Sequence, residues 1–244
     1  MPAEMKLPAD RLVYLWGIAG HPEVSPALRA LEADGWEIVV PSVAGFDGES
    51  GFVAPDDHLD WLTVFWDALD ATGALPCPVV GASLGGMIAA ELAAMRPEMV
   101  TSLSLLAPFG INDAETPGFD LYAVPAAERM GHLFAKGVPD AFADRFGHKG
   151  EEEAPVARSI SDIASASMLW PLGDRGLAKR IHRITCPKLV VWGDQDELLV
   201  PGLIERWGGG DLIAGAGHLV EWDAPDEVAA LLRRHLDGNR ANTG

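Results

Sequence analysis

The 244-residue sequence has few cysteines and few basic residues, and it contains no long hydrophobic run. Cys77 and Cys186 each precede a proline at the predicted start of a buried strand. This position indicates that both side chains pack in the core, and it does not suggest a disulfide framework or a metal-binding site. No stretch approaches the roughly 20 apolar residues that span a bilayer. Residues 1–10 also lack the basic start and apolar core of a secretion signal. We therefore expect a cytoplasmic protein without a membrane partner.

Acidic residues outnumber basic ones by 36 to 18, which gives a formal net charge of -18 and a pI near 4.6. Such a charge repels phosphate backbones and anionic lipid surfaces, so nucleic acid is not an expected partner. A hydrophobic content of 48% is typical of a chain that buries a sizeable core. None of the seven histidines has metal-ligand spacing with another histidine, cysteine or carboxylate. The sequence therefore predicts neither a metal nor a cofactor.

Apolar strand-like segments alternate with helix-like segments along the chain, which predicts an α/β fold with a mostly parallel sheet covered on both faces. The predicted strands are residues 12–16, 37–40, 78–80, 100–106, 188–192 and 212–214. The predicted helices are residues 26–33, 57–71, 87–95 and 225–236, with Asp56 or Asp57 able to cap the second.

The alternation is interrupted between residues 112 and 171. There glycine and proline separate short segments at 121–136, 139–146 and 156–169. About 60 residues of this polarity bury little surface alone, so we expect a helical insertion that leans on the sheet. The core would then consist of residues 1–111 and 172–244. The acidic run at 151–153 is predicted to be a solvated loop.

The most informative motif is Gly81-Ala82-Ser83-Leu84-Gly85, which lies between an apolar run and an alanine-rich helix. A serine on a tight strand-to-helix turn has a strained backbone, and side chains on the flanking residues would collide with the turn. Gly81 and Gly85 avoid that collision. The pattern occurs by chance in roughly one chain of this length in ten, so the hypothesis of a nucleophile needs a base and an acid elsewhere.

A serine hydroxyl becomes nucleophilic when a histidine takes its proton, and a carboxylate must orient that histidine. His218 follows a predicted strand and the small-residue turn 214–217, so its ring can project from the carboxyl edge of the sheet. The other histidines have polar or helical surroundings and are expected to be exposed. They are His21, His58, His132, His148, His182 and His235.

Two aspartates, Asp194 and Asp196, follow the predicted strand at 188–192. One is a candidate for the catalytic acid and the other for capping the turn. In either case the order along the chain is serine, aspartate, histidine. That order is typical of α/β-hydrolases and differs from the chymotrypsin and subtilisin orders.

With these motifs, nearly the whole chain after residue 11 resembles the α/β-hydrolase superfamily. Residues 81–86 match its nucleophile elbow, residues 184–196 its acid-bearing strand and residues 215–218 its histidine loop. The family's acid falls on the second aspartate, so the resemblance implies a catalytic triad of Ser83, Asp196 and His218. Residues 41–50 resemble a family loop with glycines and a closing serine. The insertion at 112–171 takes the place of the family's lid.

The resemblance has two departures. Family members usually carry His-Gly after the strand where this chain has Trp16-Gly17, so the histidine that buttresses the oxyanion loop is absent. The resemblance assigns the oxyanion hole to the backbone N–H groups of Ile18 and Leu84, with simple packing as the alternative for Ile18. The family's first two strands have no room before residue 12. We expect about six strands with 37–40 near an exposed edge, which invites homodimerisation.

A serine nucleophile argues against epoxide opening and halide displacement, for which relatives use an aspartate. The prediction is hydrolysis of an ester, thioester or lactone through an acyl-enzyme, with a small-molecule acyl substrate as the partner. Eight apolar residues of the insertion are candidates for an acyl pocket or for core packing. They are Leu121, Tyr122, Met130, Leu133, Phe134, Met168, Leu169 and Trp170.

Several alternatives remain open. Similar proteins hydrolyse a carbon–carbon bond of a dienoic diketone with the same three residues, and such substrates carry a carboxylate that meets an arginine. Arginines in or beside the insertion are Arg129, Arg145, Arg158 and Arg175. A non-catalytic small-ligand receptor of this fold, and lyase or perhydrolase chemistry, are further alternatives. Asp113 follows the predicted strand at 100–106, where some relatives place the acid.

Overall fold

A single parallel sheet of six strands forms the centre of the computed structural model, which describes residues 10–20, 24–49, 51–113, 115 and 117–240. The strands are β1 Arg11–Leu15, β2 Glu37–Val39, β3 Cys77–Ala82, β4 Val100–Leu106, β5 Lys188–Gly193 and β6 Asp211–Ile213. Their order across the sheet is β2-β1-β3-β4-β5-β6, and every neighbouring pair is parallel. The predicted six strands and the edge position of β2 are both confirmed.

Eight α-helices accompany the described strands. They are α1 Pro26–Ala33, α2 His58–Ala71, α3 Leu84–Met95, α4 Ala126–Arg129, α5 Asp140–Ala143, α6 Gly150–Leu169, α7 Val220–Asp223 and α8 Pro225–Arg240. Successive side chains of a strand point to opposite faces of the sheet, and both Val79 and Val80 of β3 are completely buried. Helices therefore cover both faces of the sheet. In α2, the Asp57 carboxylate caps the helix by accepting the Asp60 N–H at 3.0 Å.

Helices α4 to α6 and several 3₁₀ turns occupy the segment between β4 and β5. Most of its buried apolar side chains join the central core, since Leu133, Phe134 and Met168 belong to the same buried cluster as the sheet residues. A small second cluster consists of Phe146, Ala154 and Ala157. Phe134 contacts Phe142 edge to face with ring centroids 4.9 Å apart. The segment thus packs against the body of the protein, as its limited apolar content requires.

Two expectations need correction, one for the acidic run and one for the histidines. Residues 151–153 are exposed as predicted, but they form the first turn of α6 because carboxylates are favourable at the positive end of a helix. The short segment at 121–136 contains α4 and short 3₁₀ turns.

The histidine prediction is right for His148 and His182, which are exposed, and wrong for His58, His132 and His235, which are half-buried. The half-buried rings have polar or packing partners, such as the Glu197 carboxylate, which lies 2.7 Å from His132 Nδ1. His21 and Ser50 lie outside the described residues.

Candidate active site

Ser83 lies on a sharp turn between β3 and α3 with φ 55° and ψ -118°, in the left-handed region that non-glycine residues rarely adopt. The neighbouring glycines are sterically required. A Cβ at Gly81 would lie 2.5 Å from the carbonyl oxygen of Gly85, and a Cβ at Gly85 would overlap the carbonyl oxygen of Leu15. The structure therefore agrees with the steric argument for this motif.

The turn also contacts the loop after β1. The Gly85 N–H donates to the Trp16 carbonyl at 3.0 Å, which places the two backbone segments side by side. A Cβ at Gly17 would lie 3.4 Å from Ser83 Cβ and 3.9 Å from Ser83 Oγ. The residue after Gly17 is Ile18, so its backbone follows directly beside the serine. Leu84 is the first residue of α3, where an N–H has no acceptor within its own helix.

His218 joins the serine to an aspartate. Its Nε2 lies 2.7 Å from Ser83 Oγ and its Nδ1 lies 2.8 Å from Asp196 Oδ2. Both the serine and the histidine are completely buried. Residues separated by 135 positions in the sequence thus form one continuous hydrogen-bonded chain. This is the arrangement that general-base activation of a hydroxyl needs.

The Asp196 carboxylate is fixed by four hydrogen bonds. Oδ1 accepts the N–H groups of Leu198 at 2.8 Å and Leu199 at 3.0 Å, while Oδ2 accepts Trp192 Nε1 at 2.9 Å in addition to the histidine. These donors fix the orientation of the carboxylate. Trp192 was not predicted to have a role at the site. Only its position, four residues before the aspartate on a buried strand, could have suggested one.

The two alternative aspartates have other partners. Asp194 Oδ1 accepts the Gly215 N–H at 2.7 Å and so supports the turn before the histidine. Asp113 Oδ2 accepts Arg206 Nη2 at 2.9 Å, and its Oδ1 accepts the Glu115 N–H at 3.0 Å. The aspartate bonded to His218 is Asp196.

The loop after β1 receives its support from the insertion. The Ser165 hydroxyl donates to the Ile18 carbonyl, and the Ser161 hydroxyl donates to the Ala19 carbonyl at 3.2 Å. Arg145 Nε donates to the same Ala19 carbonyl at 3.1 Å. All three donors are buried. These side chains provide the support that the missing histidine of the His-Gly pattern would give.

The Trp16 ring does not substitute for that histidine. It packs against Phe46 with centroids 6.0 Å apart and against Phe65 at 6.3 Å. Its Nε1 is buried and has no hydrogen-bond partner among the described residues. The aromatic ring therefore fills the core beside the loop, and the polar contacts to the loop come from α6 and Arg145.

A second buried carboxyl group, Glu221, lies three residues after the histidine. It is 1% exposed, and Tyr14 Oη donates to its Oε1 at 3.2 Å. Burial raises the pKa of Glu221 to about 7, while attraction to His218 and the bond from Tyr14 partly oppose that rise. No sequence pattern pointed to this residue beyond its position three residues after His218.

Asp223 ties the histidine loop to the insertion. Its Oδ2 accepts the N–H of Gly217 and the N–H of Ala135, each at 2.7 Å. Lys136 Nζ also donates to the Asp223 carbonyl at 2.8 Å. We call this set of contacts the Asp223 clasp. Because Gly217 directly precedes His218, the clasp fixes the base of the site to residues 135–136.

A cavity of about 270 Å³ lies beside the loop after β1. Ile18 and Ala19 form one wall, and side chains of the insertion form the others. Of the eight apolar candidates, Leu121, Tyr122, Met130 and Leu133 line this cavity, whereas the other four do not. Phe134, Met168 and Leu169 are buried in the core instead, and Trp170 is 56% exposed.

Ser83 does not line this cavity. Leu219 lies beside Gly17, which adjoins Ser83, and the Phe109 ring lies 5.5 Å from the His218 ring. Because Ser83 is completely buried, side chains around it must move before a carbonyl carbon can reach the hydroxyl.

Three of the four candidate arginines, Arg129, Arg145 and Arg158, line the same cavity. Arg175 instead donates to the carbonyls of Leu169 and Pro171 at 3.3 and 3.2 Å.

Among the described residues, no helix combines the length and apolar character needed to cross a membrane. The same described part of the chain contains no cluster of three or more His, Cys, Asp or Glu residues suited to a metal ion.

The model of the alpha/beta hydrolase family matches residues 13–231, and the chain belongs to this family. Sequence relatives agree with that assignment. A dihydrolipoyllysine-residue acetyltransferase component of the acetoin cleaving system of Cupriavidus necator is 31% identical over 247 residues. The match covers 94% of this chain but only 64% of that protein, so this chain spans less than two thirds of its length.

A pimeloyl-[acyl-carrier protein] methyl ester esterase of Neisseria meningitidis serogroup B is 27% identical, with 93% of this chain and 92% of that protein covered. A solved 2-hydroxy-6-oxo-6-phenylhexa-2,4-dienoate hydrolase from Rhodococcus sp. strain RHA1 superposes with a TM-score of 0.71 and 21% identity, covering 94% of this chain and 91% of that chain. At that identity the structural likeness shows the fold alone. Together the family and its members support an enzyme of the hydrolase class.

Proposed function

We propose that the protein is a serine hydrolase that cleaves a carboxylic ester, thioester or lactone through an acyl-enzyme. The observation that carries this proposal is the unbroken chain from Ser83 Oγ through both nitrogens of His218 to Asp196 Oδ2, with contacts of 2.7 and 2.8 Å. The esterase named among the relatives acts on a methyl ester, which agrees with this substrate class.

In this mechanism Ser83 Oγ attacks the carbonyl carbon while His218 Nε2 takes the hydroxyl proton. The Asp196 carboxylate keeps the proton on Nδ1 and stabilises the imidazolium that forms. The N–H groups of Ile18 and Leu84 stabilise the negative oxygen of the tetrahedral intermediate. His218 then gives its proton to the leaving alcohol or thiol, and a water activated by the same ring releases the acid.

We also propose that residues 112–171 act as a lid over a core formed by residues 1–111 and 172–244. Their side chains form most of the cavity wall opposite Ile18, and Ser83 has no exposed surface. Movement of this segment would provide the access that substrate entry requires.

Hydrolysis of a carbon–carbon bond is a second candidate function, because three arginines line the cavity and its substrates carry a carboxylate. The same three residues would perform it. A short p-nitrophenyl ester and a dienoic diketone, each assayed with the intact protein, separate the two reactions. Faster turnover of the diketone would overturn the ester proposal.

The direct test of the nucleophile is labelling with a fluorophosphonate. The intact protein should gain one phosphonyl group on Ser83, whereas S83A should gain none and should lose ester hydrolysis by at least about 10³-fold. The matched control is S102A, because Ser102 is buried on β4 away from the site. If the intact protein is not labelled, a small-ligand receptor would replace the enzyme proposal.

A further inference from the structure

The cavity beside Ile18 contains an unusual concentration of positive charge. Arg129, Arg145 and Arg158 line it, and Asp162 is the one acid in its wall. The chain as a whole has twice as many acidic as basic residues. Three arginines that line one cavity are therefore contrary to the general charge of the molecule, and positive charge at such a site needs a counter-charge.

Asp162 provides only part of that counter-charge. Its Oδ2 lies 3.8 Å from Arg129 Nη1 and its Oδ1 lies 3.9 Å from Arg145 Nη2. A charge-assisted hydrogen bond between nitrogen and a carboxylate is about 2.7 to 2.9 Å long. The carboxylate is therefore shared between two arginines without a close bond to either, and burial raises its pKa.

The individual arginines are also incompletely bonded. Arg145 is 3% exposed, and its guanidinium carbon lies over the rings of Phe142 and Phe146, 5.3 and 5.4 Å from their centroids. Its Nε is used by the Ala19 carbonyl, while its Nη1 contacts only the Met130 sulfur at 3.2 Å. A guanidinium has five N–H donors, so donors remain for an anion in the cavity.

Arg158 and Tyr122 complete this surface. Arg158 Nη1 donates to the Ala143 carbonyl at 3.4 Å, a long contact. The Tyr122 hydroxyl is buried and has no hydrogen-bond partner among the described residues. The remaining wall is apolar and includes Leu121 and Leu133. The cavity thus combines apolar wall residues with a group of unused donors.

We propose that this cavity binds an acyl group that ends in a carboxylate, so that the preferred substrates are monoesters or monothioesters of dicarboxylic acids. This inference rests on the proposed function for its reaction. Ile18, whose N–H would hold the carbonyl oxygen, also forms the cavity wall. An acyl chain bound there would extend from the reacting carbonyl toward the arginines. A planar carboxylate matches the forked donors of arginine better than any neutral end group does.

The kinetic test compares mono-4-nitrophenyl adipate with 4-nitrophenyl adipamate, whose terminal amide has the same shape and no charge. A hydrogen bond to a charged partner supports a preference of at least about tenfold in kcat/KM for the acid. R129Q and R158Q should each reduce that ratio, and the double variant should bring it close to one. The matched control is R233Q, because Arg233 pairs with Asp34 on the opposite part of the molecule. R233Q should keep the ratio of the intact protein.

A binding measurement separates this inference from the reaction. Calorimetry with S83A should show binding of monomethyl adipate about tenfold or more tighter than methyl adipamate. R158Q in the same background should reduce the difference, and R129Q together with R158Q should remove it. Equal kcat/KM for the acid and the amide, with active ester hydrolysis, would overturn the inference and leave the proposed function intact. Arginine-dependent binding of the acid without hydrolysis of any ester would support the site and overturn the proposed function.

Discussion

Replacing Asp223 with alanine should release the histidine loop from the insertion. In the folded protein one carboxylate oxygen of Asp223 accepts two backbone N–H groups, from Gly217 and Ala135, at 2.7 Å each. The contact to Gly217 is buried, and Asp223 itself is 8% exposed. Alanine leaves both donors without this acceptor. Gly217 is affected most because water has little access to it.

The expected loss of stability follows from these contacts. A buried donor that loses its partner costs about 1 to 3 kcal/mol, and the N–H of Ala135, an exposed residue, costs less because it can bond to water. D223A should therefore lower the free energy of unfolding by about 2 to 4 kcal/mol. D223N keeps a neutral oxygen acceptor and should lose about 1 kcal/mol. Because Gly217 precedes His218, kcat for an ester should also fall about 10- to 100-fold in D223A.

Urea unfolding and steady-state ester hydrolysis measure the two effects. D194A is the matched control, since Asp194 also accepts a loop N–H, that of Gly215 at 2.7 Å, but at an exposed position without contact to the insertion. We expect it to cost less than about 1 kcal/mol because water replaces the acceptor. If D223A is no less stable than D194A, or if its kcat is unchanged, the clasp does not hold the histidine loop.

Two further predictions concern the carboxyl groups around the base. D196N should lower kcat about 10³- to 10⁴-fold at neutral pH because the histidine loses its orienting charge, whereas D113N should change it less than about twofold; the reverse result would reassign the acid. E221Q should change how stability depends on pH, because burial raises the pKa of Glu221 from 4.5 to about 7. The folded protein then holds a proton that the unfolded chain releases, so this contribution to stability is fully present below pH 4.5 and falls as the pH rises through 7. Urea unfolding measures the difference in free energy of unfolding between the intact protein and E221Q, and this difference should change by up to about 3 kcal/mol between pH 4.5 and pH 8. A difference that stays constant over this range would show that Glu221 is not the group responsible.

The sequence predicted those parts of the molecule that follow from local patterns. Alternating apolar runs located all six strands to within one or two residues, and the β2 edge followed from the small number of preceding residues. The flanking glycines of Ser83 were predictable because a tight strand-to-helix turn has a strict steric requirement. The choice between Asp194 and Asp196 was not local, and it came from the resemblance.

The parts that the sequence did not predict depend on contacts between distant segments. Asp223 and Ala135 are 88 positions apart, and Ser165 and Ile18 are 147 positions apart. No spacing rule connects such residues. The helical start of α6 was missed for a different reason, since an acidic run predicts solvent exposure equally well in a loop and in the first turn of a helix.

The support that α6 gives to the loop after β1 has a consequence for protein engineering. Exchanging the segment between β4 and β5 for that of a homologue would build a chimera with a different cavity wall. Here such a graft would also remove Ser161, Ser165 and Arg145, and it would leave the carbonyls of Ile18 and Ala19 without their donors. A graft from a donor enzyme whose loop carries its own histidine would need that loop to be transplanted with it.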